Sequence, residues 1–218
     1  MTAVTLSRNE VEALIQKATA GAGLSWGMAE EAGAAAGWMA ARGVVWAAVF
    51  ADVLEGGAAG MPLRFDAAAG MWRAADAAQG TLCPIALGVA LCDFAALPQA
   101  DLTRGPVRAA PVRAPVVLLP FVAQVARGLG KGVVIEGQGV VVGVTPEGQV
   151  SGALAAFAAL QPMPLVIRPG HAQPVALPPL PPVPAALLAR LERLAMHTTV
   201  PPSDTSRAGA GAAEDDND

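Results

Sequence analysis

The sequence predicts a mixed α+β fold: a helical N-terminal segment, a β-rich middle with one β-α-β crossover, and a C-terminal amphipathic helix followed by an acidic, Gly-rich tail. Three observations predict it. Apolar residues recur at helical spacing behind capping residues up to Glu55. Short β-branched runs between glycines and prolines follow as far as Arg168. A leucine stripe then returns between Pro184 and Met196.

Ser7-Arg8-Asn9-Glu10 has the form of a capping box, in which the serine oxygen accepts from the Glu10 amide and the glutamate reaches back. Val11, Leu14, Ile15 and Ala18 follow on one face, and Gly21 or Gly23 ends the helix. Ser25 caps a second helix, with Glu30 and Glu31 near its positive end and Ala29, Gly33, Ala36, Gly37 and Ala40 along it. A mid-helix glycine costs ~1 kcal/mol, so Gly33 and Gly37 serve either close helix packing or a backbone surface approached by a ligand. A third helix is expected from Trp46 to Glu55, stopped by Gly56-Gly57.

Pro62–Phe65 and Met71–Ala74 read as a hairpin around Asp66–Gly70. Leu82–Leu91 is a nearly continuous apolar run that suits a buried strand or a packed helix. Ala100–Ala114, with Arg104, Arg108, Arg113 and two prolines, reads as an exposed connection. Val116–Leu119 is expected as a buried strand, Phe121–Arg127 as a short helix, and Val133–Glu136 as the next strand, making the parallel crossover. Val140–Thr145 turns through Pro146-Glu147-Gly148 into Gln149–Ala153, an antiparallel pair. Leu165–Arg168 is a further strand, and Pro169–Pro184 is proline-dense and extended along the surface. Pro184–Met196 presents Leu187, Leu188, Leu191, Leu194 and Ala195 on one face.

Length and composition bound the function classes. With 218 residues the chain suits one globular domain, 1–199, plus a tail, 200–218. The 54% hydrophobic content and mean hydropathy of +0.47 raise the question of a membrane span. A spanning helix needs ~20 apolar residues, and the uncharged candidate of that length, Gly148–Ile167, is interrupted by Pro162 and Pro164. Met1–Glu10 lacks a basic opening followed by an apolar stretch, so a cytoplasmic protein is expected. The acidic residues Asp204, Glu214, Asp215, Asp216 and Asp218, against Arg207, carry the whole net charge of −4. A balanced body offers no footprint for nucleic acid or anionic lipid and repels its own copies only weakly, leaving a homo-oligomer or a partner protein open.

Motifs for chemistry are few. Gly128-Leu129-Gly130-Lys131-Gly132 lacks the first glycine and the Ser/Thr of a phosphate loop, and Gly137-Gln138-Gly139 opens a strand where a dinucleotide fingerprint opens a helix. His171 and His197 have no adjacent nucleophile, and the spacing of Cys83 and Cys92 suggests no metal site, so two buried, reduced thiols are expected. No cofactor is indicated. The candidate pocket joins Trp26, a stacking surface, and the Glu30 and Glu31 carboxylates to the tail; the same three residues also suit a core anchor and first-turn acids. In the tail, the Ser203 and Ser206 hydroxyls, the Arg207 fork and the amides at Gly209 and Gly211 suit a carboxylate or phosphate. Asp216, Asn217 and Asp218 close it, and by composition the same tail suits a disordered appendage.

Leu6-Ser7-Arg8-Asn9-Glu10-Val11-Glu12, Gly23–Gly33 and the closing Val200-Pro201, Ser203, Ser206-Arg207, Gly209-Ala210-Gly211 and Asp216-Asn217-Asp218 together resemble an uncharacterised bacterial domain-of-unknown-function family. The chain departs from it at His197-Thr198-Thr199, where an aromatic is expected, and in having no tyrosine. The resemblance implies no activity. The expected function is a cytoplasmic enzyme or accessory subunit of a bacterial catabolic pathway that binds a small carboxylate or phosphate; the alternative is a non-enzymatic homo-oligomeric or partner-binding module.

Overall fold

The computed structural model describes residues 3–57, 62–76, 80–98, 100–171, 173–176, 179 and 182–198. Its architecture is α+β. Seven strands form one mixed sheet in the order β2-β3-β4-β8-β5-β6-β7, and β1 (Ala3–Val4) pairs separately with β9 (Val183–Pro184).

The helical start follows the sequence closely. Helix α1 (Arg8–Gly21) begins with the complete capping box: the Ser7 amide donates to Glu10 Oε2 at 2.7 Å, and the Glu10 amide donates to Ser7 Oγ at 3.3 Å. Helix α2 (Trp26–Ala41) is capped by Ser25, whose Oγ accepts from the Met28 amide at 3.4 Å. The two helices pack along the Gly33/Gly37 stripe. A Cβ at Gly33 would lie 2.7 Å from the Glu12 carbonyl oxygen, whereas one at Gly37 would meet only the Glu12 side chain. The glycines thus serve close packing, the first of the two readings. Helix α3 (Ala47–Glu55) follows Trp46 and ends at Gly56.

Strands β2 (Leu63–Asp66) and β3 (Met71–Ala74) form the expected hairpin, with Phe65 opposite Trp72 and their rings 5.1 Å apart. The ambiguous apolar run becomes helix α4 (Pro84–Phe94). Pro84 sits in its first turn, where a missing amide costs nothing, and the Phe121 ring lies against Gly88. Cys83 and Cys92 are both free, the first buried and the second half-buried.

Three expectations in the middle of the chain are corrected. Residues 107–112 are strand β4 (Val107–Val112) inside the sheet, within the stretch read as an exposed connection. Val107, Ala109 and Val112 point inward and Arg108 outward; the register shift between Ala109 and Val112 accommodates Pro111, which has no amide to donate. Val116–Leu119 is buried as expected but is no strand. Left-handed Ala114 (φ 42°) turns the chain into a 3-10 segment, Pro115–Leu118, that runs on into helix α5 (Leu119–Leu129). The crossover therefore moves. The parallel neighbours are β3 and β4, joined through α4. Strands β4 and β5 (Val133–Gly137) also run in one direction, but β8 (Met163–Pro169) lies antiparallel between them.

Strands β6 (Val140–Val144) and β7 (Val150–Gly152) complete the sheet as the antiparallel pair read from the sequence, followed by the short helix α6 (Leu154–Ala158). The described part of the proline-rich segment runs exposed beside β7, with the Val175 amide donating to the Val150 carbonyl at 3.0 Å. Helix α7 (Ala185–Met196) turns Leu188 and Leu191 inward and packs on α1 and α3. Trp72, Ala109, Ile135, Val142, Leu165 and Ile167 form the buried face of the sheet, covered by α5, which in turn packs against α4 and α2. The opposite face carries Arg73, Arg108, Glu136 and Arg168, none of them buried.

Gly33→Ala is expected to cost about 1–3 kcal/mol in urea unfolding, because the added methyl meets backbone. Gly37→Ala should stay within about 1 kcal/mol of wild type, since only the Glu12 side chain has to move and helix propensity improves. Ser7→Ala should cost about 1 kcal/mol through the lost cap. Hydrogen bonds from the Ser7 side chain and then its backbone hold the Glu10 carboxyl below its ordinary 4.5. Its contribution is therefore present above that value and lost as pH falls through the lower folded value. Ser7→Ala should flatten the fall in melting temperature as pH drops below 4.5.

Candidate functional site

A cavity of about 900 Å³ opens where the C-terminal end of α2 approaches the β6–β7 turn. Helix α2 ends at Ala41, with Arg42 as its cap, and left-handed Gly43 (φ 70°) swings the chain away toward Trp46. On the other side, the Gly148 amide closes the turn onto the Thr145 carbonyl at 2.8 Å. Gly148 sits at φ 81°, a left-handed conformation that glycine adopts without steric cost, and its carbonyl faces Arg42. Arg42 Nε donates to that carbonyl at 2.8 Å across 106 residues of sequence.

The guanidinium carbon of Arg42 also lies 4.4 Å from the centroid of the Trp38 ring. One face of the group is therefore covered by an aromatic surface and one edge is tied to backbone. Among the described residues no carboxylate forms an ion pair with Arg42, and its two Nη groups have no hydrogen-bond partner. Burial, with Arg8 and Arg127 adding like charge, draws its pKa below the ordinary value. A guanidinium remains cationic there, so the cleft holds a half-buried positive charge with open donors.

The remaining lining mixes apolar walls from Leu6, Trp46, Val150 and Val183 with the polar side chains of Thr5 and Gln149. Glu147 is the other charged residue of the lining, exposed at the tip of the turn. The Thr145 side chain, then the backbone amide of Glu147 itself, hold its carboxyl below the ordinary 4.5, so it is ionised at neutral pH. Such a lining can bind and orient an anion, and the Thr5 hydroxyl and Glu147 carboxylate are the hydroxyl and carboxylate it offers.

The residues singled out from the sequence lie elsewhere. Trp26 begins α2 and is 61% exposed, Glu30 is exposed and Glu31 half-buried. The 16 residues of α2 span ~24 Å, which separates that end from Arg42. Trp26 is thus not a core anchor, and neither it nor Glu30 nor Glu31 lines the cleft at Arg42. Ser203, Ser206, Arg207, Gly209, Gly211, Asp216, Asn217 and Asp218 lie outside the described residues. His197 Nδ1 is 3.1 Å from the Gly21 carbonyl oxygen and joins α7 to α1. Burial, with Glu31 and Asp93 adding negative charge, pushes the Cys92 thiol up to about 12, away from thiolate chemistry.

Sequence reasoning passed over Arg42, although one signal was present. It is the only charged residue between Glu31 and Asp52, at the end of an Ala/Gly-rich helix. Glu147 and Gly148 were legible only as a turn.

No helix among the described residues is long and apolar enough to cross a membrane. No curated protein and no solved structure matches the chain. Residues 6–96 match a family described as a protein of unknown function (DUF3726), a segment that holds α1 to α4, the β2–β3 hairpin and Arg42. Over that segment the chain is similar to an uncharacterised domain-of-unknown-function family.

Proposed function

We propose that this protein binds a small anionic molecule, a carboxylate or a phosphate, in the cleft at Arg42. One observation carries the reading: a half-buried guanidinium that lines a 900 Å³ cavity is held by Trp38 and the Gly148 carbonyl and has no carboxylate partner among the described residues. A planar fork of this kind suits paired oxygens. On this reading the protein is an enzyme or accessory subunit of bacterial catabolism. Two free thiols suit the reducing cytoplasm. The anion-binding role read from the tail is thereby assigned to a different place in the chain.

A second reading, a homo-oligomeric or partner-binding module, is favoured by Trp26, a large apolar side chain standing 61% exposed at the start of α2. Light scattering of wild type and Trp26→Ala tests it, a dimer lost on substitution being its expected result.

For the anion-binding reading, a thermal-shift screen against carboxylates and inorganic phosphate is the direct test. A ligand at a hundred times its Kd adds about 2.7 kcal/mol, which in a protein of this size raises Tm by about 5–10 °C. Arg42→Gln should weaken that ligand by roughly tenfold to a hundredfold, the worth of a charge-assisted pair. Arg42→Lys should recover only part of the loss, because the charge remains without the fork. Absence of any Arg42-dependent shift across the screen overturns the reading.

A further inference from the structure

Glu147 lies beside the proposed anion site, on the turn that presents Gly148 to Arg42. The charged lining of the cleft is therefore one cation and one anion. Glu147 makes no ion pair with Arg42 among the described residues, so it neither uses up the guanidinium nor is neutralised by it. Away from these two residues the walls combine apolar Leu6, Trp46, Val150 and Val183 with the uncharged polar side chains of Thr5 and Gln149.

Building on the anion-binding reading, we infer that the cleft selects a monocarboxylate with an apolar body, and that Glu147 is the specificity residue that turns away dianions. Two physical arguments support this. The Arg42 Nη edge matches the two oxygens of one carboxylate, and a single negative charge is balanced there by a single positive one. A phosphate dianion or a dicarboxylate doubles its attraction to Arg42 and its repulsion from Glu147 alike, so Glu147 offsets what the second charge would otherwise gain. The volume points the same way. About 900 Å³ lies at the upper end of sites for drug-sized ligands and far exceeds a carboxylate alone. The apolar part of the walls rewards a hydrocarbon body, and among the described residues no basic side chain other than Arg42 lines the cleft to pair with a second negative charge.

Isothermal titration of the full-length protein tests the inference, with acetate, butanoate, hexanoate and octanoate against succinate and inorganic phosphate. Wild type should gain roughly fourfold in affinity per added methylene along the straight-chain series. Succinate and phosphate should bind wild type more weakly than hexanoate. Glu147→Gln, at an exposed position where the fold is expected to tolerate it, should raise succinate and phosphate affinity by about tenfold and hexanoate by about threefold, as charge doubling requires. Phosphate or succinate binding wild type as tightly as hexanoate overturns the inference, as does a Glu147→Gln gain equal for all ligands. In either case, binding that Arg42→Gln abolishes leaves the underlying anion site standing. Failure of every probe to bind removes both.

Discussion

Strand β8 is the piece on which the rest of the arrangement depends. Met163–Pro169 pairs antiparallel with β4 on one side and with β5 on the other, and so joins the β2-β3-β4 half of the sheet to the β5-β6-β7 half. Without it there would be two small sheets of three strands. Its inward residues Met163, Leu165 and Ile167 are essentially inaccessible to solvent, each facing a partner on β4 or β5. Buried cross-strand pairs of this kind fix register, because a one-residue slip would turn the whole apolar set outward.

The helical layer is organised by a different constraint, the smallness of its side chains. Ala29, Ala32, Ala35 and Ala36 on α2 are fully buried, and Gly33 lets the α1 backbone approach closely. Alanine brings little apolar area per residue, so the helices gain by lying close together. Larger side chains fill the deeper interior: Phe50, Phe121, Phe157, Met39 and Ile15 are fully buried. The bridge between layers is polar. Arg42 leaves the end of the alanine helix and reaches the Gly148 carbonyl on the far strand pair, and in doing so holds a cation at the mouth of a cavity.

That bridge also explains how the site relates to the ends of the chain. The cleft takes its walls from β1, from the ends of α1 and α2, from the β6–β7 turn and from the segment leading into β9. Only part of this lies within residues 6–96, the stretch that matches the family of unknown function. Arg42 falls inside it and Glu147 outside, so the charge balance of the cleft is assembled from both parts of the chain.

Local signals determined a good part of the fold. Ser7 and Ser25 set two helix starts, the 62–74 hairpin and the 140–152 strand pair follow from alternation and turn residues, and α7 from its leucine stripe. Each of these depends on neighbours a few residues away, which a linear reading sees. What the tertiary structure alone decided depends on distant partners. Residues 107–112 read as solvated because of Arg108 and Pro111, yet they are drawn into the sheet by the pairing of Arg108 with Val166 and Ala109 with Leu165. The apolar runs at 82–91 and 116–119 are legible as buried, but the first suits strand and helix alike and the second reads as a strand, since an all-apolar segment has no period to read. The cleft was hidden for the same reason. Arg42 and Gly148 meet across 106 residues, and neither acquires a role until the sheet brings the β6–β7 turn to the end of α2.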